Sequence, residues 1–170
     1  SDQKAVVKIF DKTIGKDIYL ENLLGTTDGK ISFKNADDQL AVFLTKGYAL
    51  ADGNSDLTDG QFTPSRFDNV DNVDQVFTAI LVHTYSKDSE KKTVTRTINY
   101  HKPDGKVETV TQPVELTRVV TTDNVDQSKT FDPWTSGQWN VKSTPEIAGY
   151  TASQDSVAET PVDGSTQNQV

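Results

Sequence analysis

The chain has 170 residues, a formal net charge of −8 from 25 acidic against 17 basic residues, and neither Cys nor Met. A hydrophobic content of 34% is lean for one large core and suits two small ones, because small domains bury a smaller fraction of their surface. The charge excludes nucleic acid as a partner, since phosphate affinity rests on concentrated Lys and Arg, and the missing thiols exclude disulfide frameworks and thiolate metal sites.

Ala5, Val6, Val7, Ile9 and Phe10 read as a buried strand, Gly15 offers a turn, and Ile18-Tyr19-Leu20 make a second strand, so the chain opens on a hairpin. Asn35 then suits an N-cap, with Asp37 and Asp38 where the helix dipole favours negative charge. Ala36, Leu40, Phe43 and Leu44 recur at helical spacing and Gly47 supplies a left-handed stop, which predicts one helix over 35–47. Tyr48 to Ala51 resumes extended structure, residues 52–74 are polar and acidic, and Val76 to Tyr85 is the strongest strand of this half. Hairpin, helix, short strand and long closing strand follow the element order of a β-grasp.

Residues 87–92 are charged and free of apolar side chains, as expected of a domain junction. Two extended runs, Val94 to His101 and Lys106 to Val120, flank Lys102-Pro103-Asp104-Gly105. Pro103 presets a turn and Gly105 accepts a left-handed backbone, so this is a hairpin. Residues 121–128 read as a loop. Pro133, Gly137, Pro145 and Gly149 leave no room for an ordinary helix, and short strands are expected around Trp139 to Val141 and Tyr150 to Ala152. Val157 to Val162 reads as a sheet edge because Pro161 lacks a ladder donor. The reading is α+β to mainly β: a domain over 1–86, a junction over 87–92, a helix-poor β domain over 93–163 and a linker over 164–170.

Asp52, Asn54 and Asp56 occupy alternate positions as in a calcium loop, with Asp59 close behind. Leu57 stands where the sharp turn wants Gly and Thr63 where the bidentate Glu should be, so a solvated acidic loop and a calcium site both remain open. No cofactor is required by any motif. His83 and His101 are the only histidines, with no nucleophile motif near either, and both read as strand residues, not general bases. Trp139 alternates with Val141 and reads as packing; Trp134 follows Pro133 in a turn-rich segment and is the candidate for stacking on a sugar ring. Gly-Tyr occurs at Gly47-Tyr48 and Gly149-Tyr150, either as two related modules or by coincidence. The chain is read as non-enzymatic.

The strand Val94-Thr95-Arg96-Thr97-Ile98-Asn99-Tyr100, together with Pro145, Ile147 and Gly149-Tyr150, resembles the mucin-binding domain in mucus-binding adhesins of lactobacilli and related Gram-positive bacteria. Residues 41–50 and 76–85 are similar to the ubiquitin-like β-grasp half that precedes it in such repeats. The resemblance implies a repeat of an extracellular surface protein that binds host mucin, with its glycans as ligand. It also implies weak single-repeat affinity raised by tandem copies, each a monomeric module. Fold analogy adds host immunoglobulin as a further partner, gripped at a sheet edge of the opening hairpin. A bare stalk that projects another adhesive domain is the alternative. No run of about 18 apolar residues or signal peptide is present, so no membrane insertion is expected, and secretion signal and wall anchor are expected outside this piece.

Overall fold

The computed structural model describes residues 1–170. The chain divides into two compact units, one of Ser1–Ser86 with Thr122–Lys129 and one of Lys87–Thr121 with Thr130–Val170.

In the first unit, β1 (Asp2–Asp11) alternates exposed and buried residues, so Ala5, Val7 and Ile9 face the core while Lys4, Val6, Lys8 and Phe10 face away. It pairs antiparallel with β2 (Lys16–Thr26). After α1 (Lys34–Leu44) come β3 (Tyr48–Leu50), the short hairpin β4 (Leu57–Thr58) and β5 (Gln61–Phe62), and β6 (Gln75–His83). The sheet order is β2-β1-β6-β3, with β1 and β6 parallel from Ala5 opposite Gln75 to Asp11 opposite Leu81. A parallel central pair flanked by antiparallel outer strands, with one helix on one face, is the expected β-grasp. Ala36 and Leu40 of α1 seal the core made by Ala5, Val7, Ile9, Ala79 and Leu81.

The helix departs from its expected bounds. It begins at Lys34 behind Phe33, which gives no side-chain cap, and the Asn35 side-chain NH2 instead donates to the Glu21 carboxylate at 2.9 Å. Phe33 is buried against the rings of Phe62 and Phe77, each with centroids 5.1 Å away, so aromatic packing and not a polar cap fixes where the chain enters the helix. It ends at Leu44 with Thr45 as its cap, short of the expected end at 47, and Gly47 follows at φ +89°. The acidic stretch also holds more than a loop, since Phe62 and Phe67 both enter the core.

The second unit contains most of a sheet of β7 (Tyr85–His101), β8 (Val107–Asp123) and β9 (Lys129–Phe131), in that order, with Tyr85–Ser86, Thr122–Asp123 and Lys129 counted in the first unit. β10 (Gly137–Trp139), β11 (Lys142–Ser143), β12 (Ser156–Val157) and β13 (Thr160–Val162) make two small antiparallel pairs, β10 with β13 and β11 with β12. Val94, Leu116, Trp139 and Val162 form the core, and the Trp139 indole N–H donates to the Val94 carbonyl at 3.3 Å. Arg96, at 4% exposure, threads this core. Its guanidinium donates to the Gln112 side chain at 2.8 Å, to the carbonyls of Ala158 and Asn140 at 2.8 and 3.0 Å, and to the Thr160 hydroxyl at 3.1 Å.

Three expected boundaries look different in three dimensions. Residues 87–92 are extended within β7. Residues 164–170 are held to β7: Gln169 bridges to Arg96, and the Thr95 amide donates to the Asn168 side chain at 2.8 Å. Thr122–Lys129 is turn-rich as expected, yet it belongs to the first unit.

Candidate functional site

Two turns of the second unit line an open concavity. At the tip between β7 and β8, the Lys102 amide donates to the Lys106 carbonyl at 2.9 Å and Gly105 closes the turn at φ +85°. The second turn has the Tyr150 amide donating to the Ile147 carbonyl at 3.1 Å, with Gly149 at φ +81°. Lys102, Pro103 and Asp104 of one, and Ile147 and Tyr150 of the other, line an open concavity of about 280 Å³. That is slightly below the range of roughly 300–1,000 Å³ typical of small-molecule pockets.

Tyr150 is 65% exposed. Its ring, with Ile147 and Pro103, offers an apolar wall, while Lys102 and Asp104 supply a donor and an acceptor at the rim. Lys102 is steadied by Glu108 at 3.2 Å. An aromatic plane beside a few polar groups matches a sugar ring, which is apolar on one face and hydroxylated around its edge. The sequence quotes Ile147 and Tyr150 as a motif, but their spatial neighbour, the hairpin tip more than 40 residues away, is set only by the fold.

Trp134 is not available in the way its position suggests. The Lys92 ammonium lies 4.7 Å and the Arg118 guanidinium 4.4 Å from the ring centroid, and a Cβ on Gly164 would come within 2.7 Å of the ring. A sugar would have to displace these groups to stack there.

Two of the four candidate residues of the acidic loop are engaged with backbone groups. The Asn54 amide donates to the carbonyls of Ala51 and Ile80, each at 2.9 Å, and its oxygen accepts from the Ile80 amide at 2.7 Å. Asp56 accepts from the Thr78 amide at 2.8 Å. These side chains therefore replace a missing neighbour strand along β6, and no group of His, Cys, Asp or Glu side chains is placed to hold a metal. Asp52 is exposed, and Asp59 is an exposed turn residue at φ +52°.

His101 is exposed, whereas His83 is sealed between carboxylates. Its Nε2 lies 2.6 Å from Asp11 and its Nδ1 2.6 Å from Asp123, so neither ring nitrogen is free for general-base work. The two Gly-Tyr elements also differ: Tyr48 donates its hydroxyl to Asp11 at 2.8 Å within the first unit, while Tyr150 faces solvent.

The first unit is a β-grasp, and the second combines a three-stranded sheet with two short strand pairs. The comparisons agree. Residues 3–83 match the mucin binding domain family and residues 85–170 the Muc B2-like domain family, and the second match spans half of the chain. The chain belongs to the Muc B2-like family and is a mucus-binding repeat. Two solved structures are similar over 98% of this chain and 94% of their own, both at 26% identity: Mub-RV, with a TM-score of 0.83, and the type 2 repeat of the mucus binding protein MUB from Lactobacillus reuteri, with a TM-score of 0.62. No curated protein matches the chain.

Proposed function

We propose that this adhesion module binds host mucin through its glycans, and that the Tyr150 concavity is the contact. The observation that carries this reading is an exposed aromatic ring set against an apolar wall with a donor and an acceptor at its rim. One shallow contact gives weak binding, so tandem copies on one extracellular surface raise avidity by roughly 10²–10⁴-fold. The Tyr150→Ala variant should lose about 3- to 10-fold in binding to immobilised mucin, in line with about 0.5–1.5 kcal/mol for an aromatic contact, while unfolding at an unchanged urea concentration. Stripping the mucin with glycosidases should abolish binding. If the intact repeat binds mucin no better than stripped mucin, the module is a stalk for another adhesive domain.

A second partner, host immunoglobulin, is favoured by an asymmetry of the β-grasp sheet. Asn54 and Asp56 cover the outer side of β6, whereas β2 is an eleven-residue outer strand with Leu20 and Leu24 exposed. An extended segment of a partner can pair there through its main chain. Antibody binding that survives deglycosylation of the antibody and disappears on Leu20→Pro supports the edge; binding lost on deglycosylation assigns it to glycan recognition instead.

A further inference from the structure

Segment 122–129 meets the β-grasp unit through one titratable cluster. The His83 side chain is 3% exposed and lies between Asp11, fully buried, and Asp123, 12% exposed. With a carboxylate 2.6 Å from each ring nitrogen, both nitrogens must carry protons for both contacts to be hydrogen bonds. A neutral imidazole has one N–H, and its bare nitrogen would face one of the two carboxylates.

We propose that His83 is a pH-operated clasp, shut while its ring carries both protons and holding segment 122–129 on the β-grasp unit, and released at the Asp123 side when one proton is lost. Asp11 keeps other donors after that loss, the Tyr48 hydroxyl at 2.8 Å and the Ile14 amide at 3.1 Å. Asp123 keeps only backbone amides of its own segment, that of Val125 at 2.8 Å and that of Asp126, and so has nothing else to bind it to the rest of the unit. The neighbouring contacts are neutral hydrogen bonds: the Asn124 amide to the Thr84 carbonyl at 2.9 Å, the Asn124 side chain to the Thr84 hydroxyl at 3.0 Å, and the Ser86 hydroxyl to Asn124 at 2.8 Å. His83 supplies the charge-dependent part.

The titratable groups that face the ring are Asp11 from β1, Tyr48 from β3, and Asp123 and Asp126 from the segment itself. Burial alone would push the His83 proton off, but the hydrogen bonds and charges of Asp123 and Asp11 outweigh it and hold its pKa above the usual 6.5. Burial likewise opposes ionisation of Asp11 and Asp123, yet their bonds to His83 and to backbone amides bring both below the usual 3.8. Tyr48 is pushed up to about 12 by burial and by its bond to Asp11, so it stays a donor throughout. A raised histidine pKa stabilises fully below 6.5 and fades as pH climbs through the folded value; lowered carboxylates stabilise above 3.8 and fade as pH falls through theirs. The clasp is shut between these limits.

The test uses the full chain. Nitrogen-15 spectra of the His83 ring at pH 6 should show both nitrogens protonated, and its titration should lie above 6.5. Amide hydrogen exchange of 122–129, corrected for intrinsic rates, should lose protection about tenfold per pH unit above that titration, as release of one proton requires. Asp123→Asn should flatten this step, because an amide can accept from a protonated ring nitrogen or donate to a bare one. A ring with one proton at pH 6, or protection of 122–129 that stays level through the His83 titration, would overturn the proposal.

Discussion

Arg96 carries a full charge into the core of the second unit with no carboxylate against it. Its partners are carbonyl, amide and hydroxyl oxygens, and its guanidinium lies 5.4 Å from the Trp139 ring centroid. Such a site uses the planar fork that lysine lacks. Arg96→Met should cost about 3 kcal/mol, because buried acceptors lose their donors, and Arg96→Lys should recover little of it. Urea unfolding read through tryptophan fluorescence checks both, and a lysine variant as stable as the parent would mean that charge alone suffices. The Arg in a Thr-Arg-Thr-Ile strand was visible in the sequence, but alternation alone cannot say that it points inward, because an inward charge needs acceptors from residues 140–160 that only folding brings together.

At the scale of elements, the acidic loop and the Gly47 turn show how short segments finish a sheet. Asn54 and Asp56 bind amides of β6 and leave it without an open edge along that stretch. Asn54→Ala should destabilise the first unit by about 1–3 kcal/mol, the cost of an unsatisfied Ile80 amide, and the shift in urea midpoint measures it. Calcium at millimolar concentration should leave the melting temperature unchanged, while a clear rise would return the loop to metal binding. Gly47 faces a different constraint, since a Cβ there would come within 2.2 Å of the Asn124 carbonyl oxygen, on top of a left-handed backbone. Gly47→Ala should therefore cost more than the roughly 1–2 kcal/mol of the backbone conformation alone, and it should raise hydrogen exchange in 122–129 selectively.

For the whole molecule, the chain contributes to its first unit twice. We propose that a fragment of residues 1–86 folds as a β-grasp but is weaker than the same unit in the full chain, because it lacks Asp123 and the Asn124 contacts. Loss of one charge-assisted hydrogen bond predicts a deficit of at least about 1.5 kcal/mol. Adding the Asp123→Asn substitution to the full chain should move its first unit toward the fragment. Equal urea midpoints for fragment and full chain would remove segment 122–129 from the folding unit.

Much of this was legible in local pattern. The β1 alternation, the helix period from Ala36 to Leu44, the Pro103-Asp104-Gly105 turn and the packing of Trp139 all follow from side-chain shape and period, which act over a few residues. The family motif around Arg96 and Tyr150 carried the adhesion reading for the same reason. Tertiary structure decided the rest, because it depends on distance in space. The rings of Phe62 and Phe77 set the helix start in place of Asn35, and Ile80 claimed the would-be calcium ligand Asn54. Lys92 and Arg118 took up Trp134, while Tyr150 stands exposed beside a distant hairpin tip. His83 found its carboxylates 72 residues before it and 40 after, a pairing that no local pattern encodes and that only burial makes consequential.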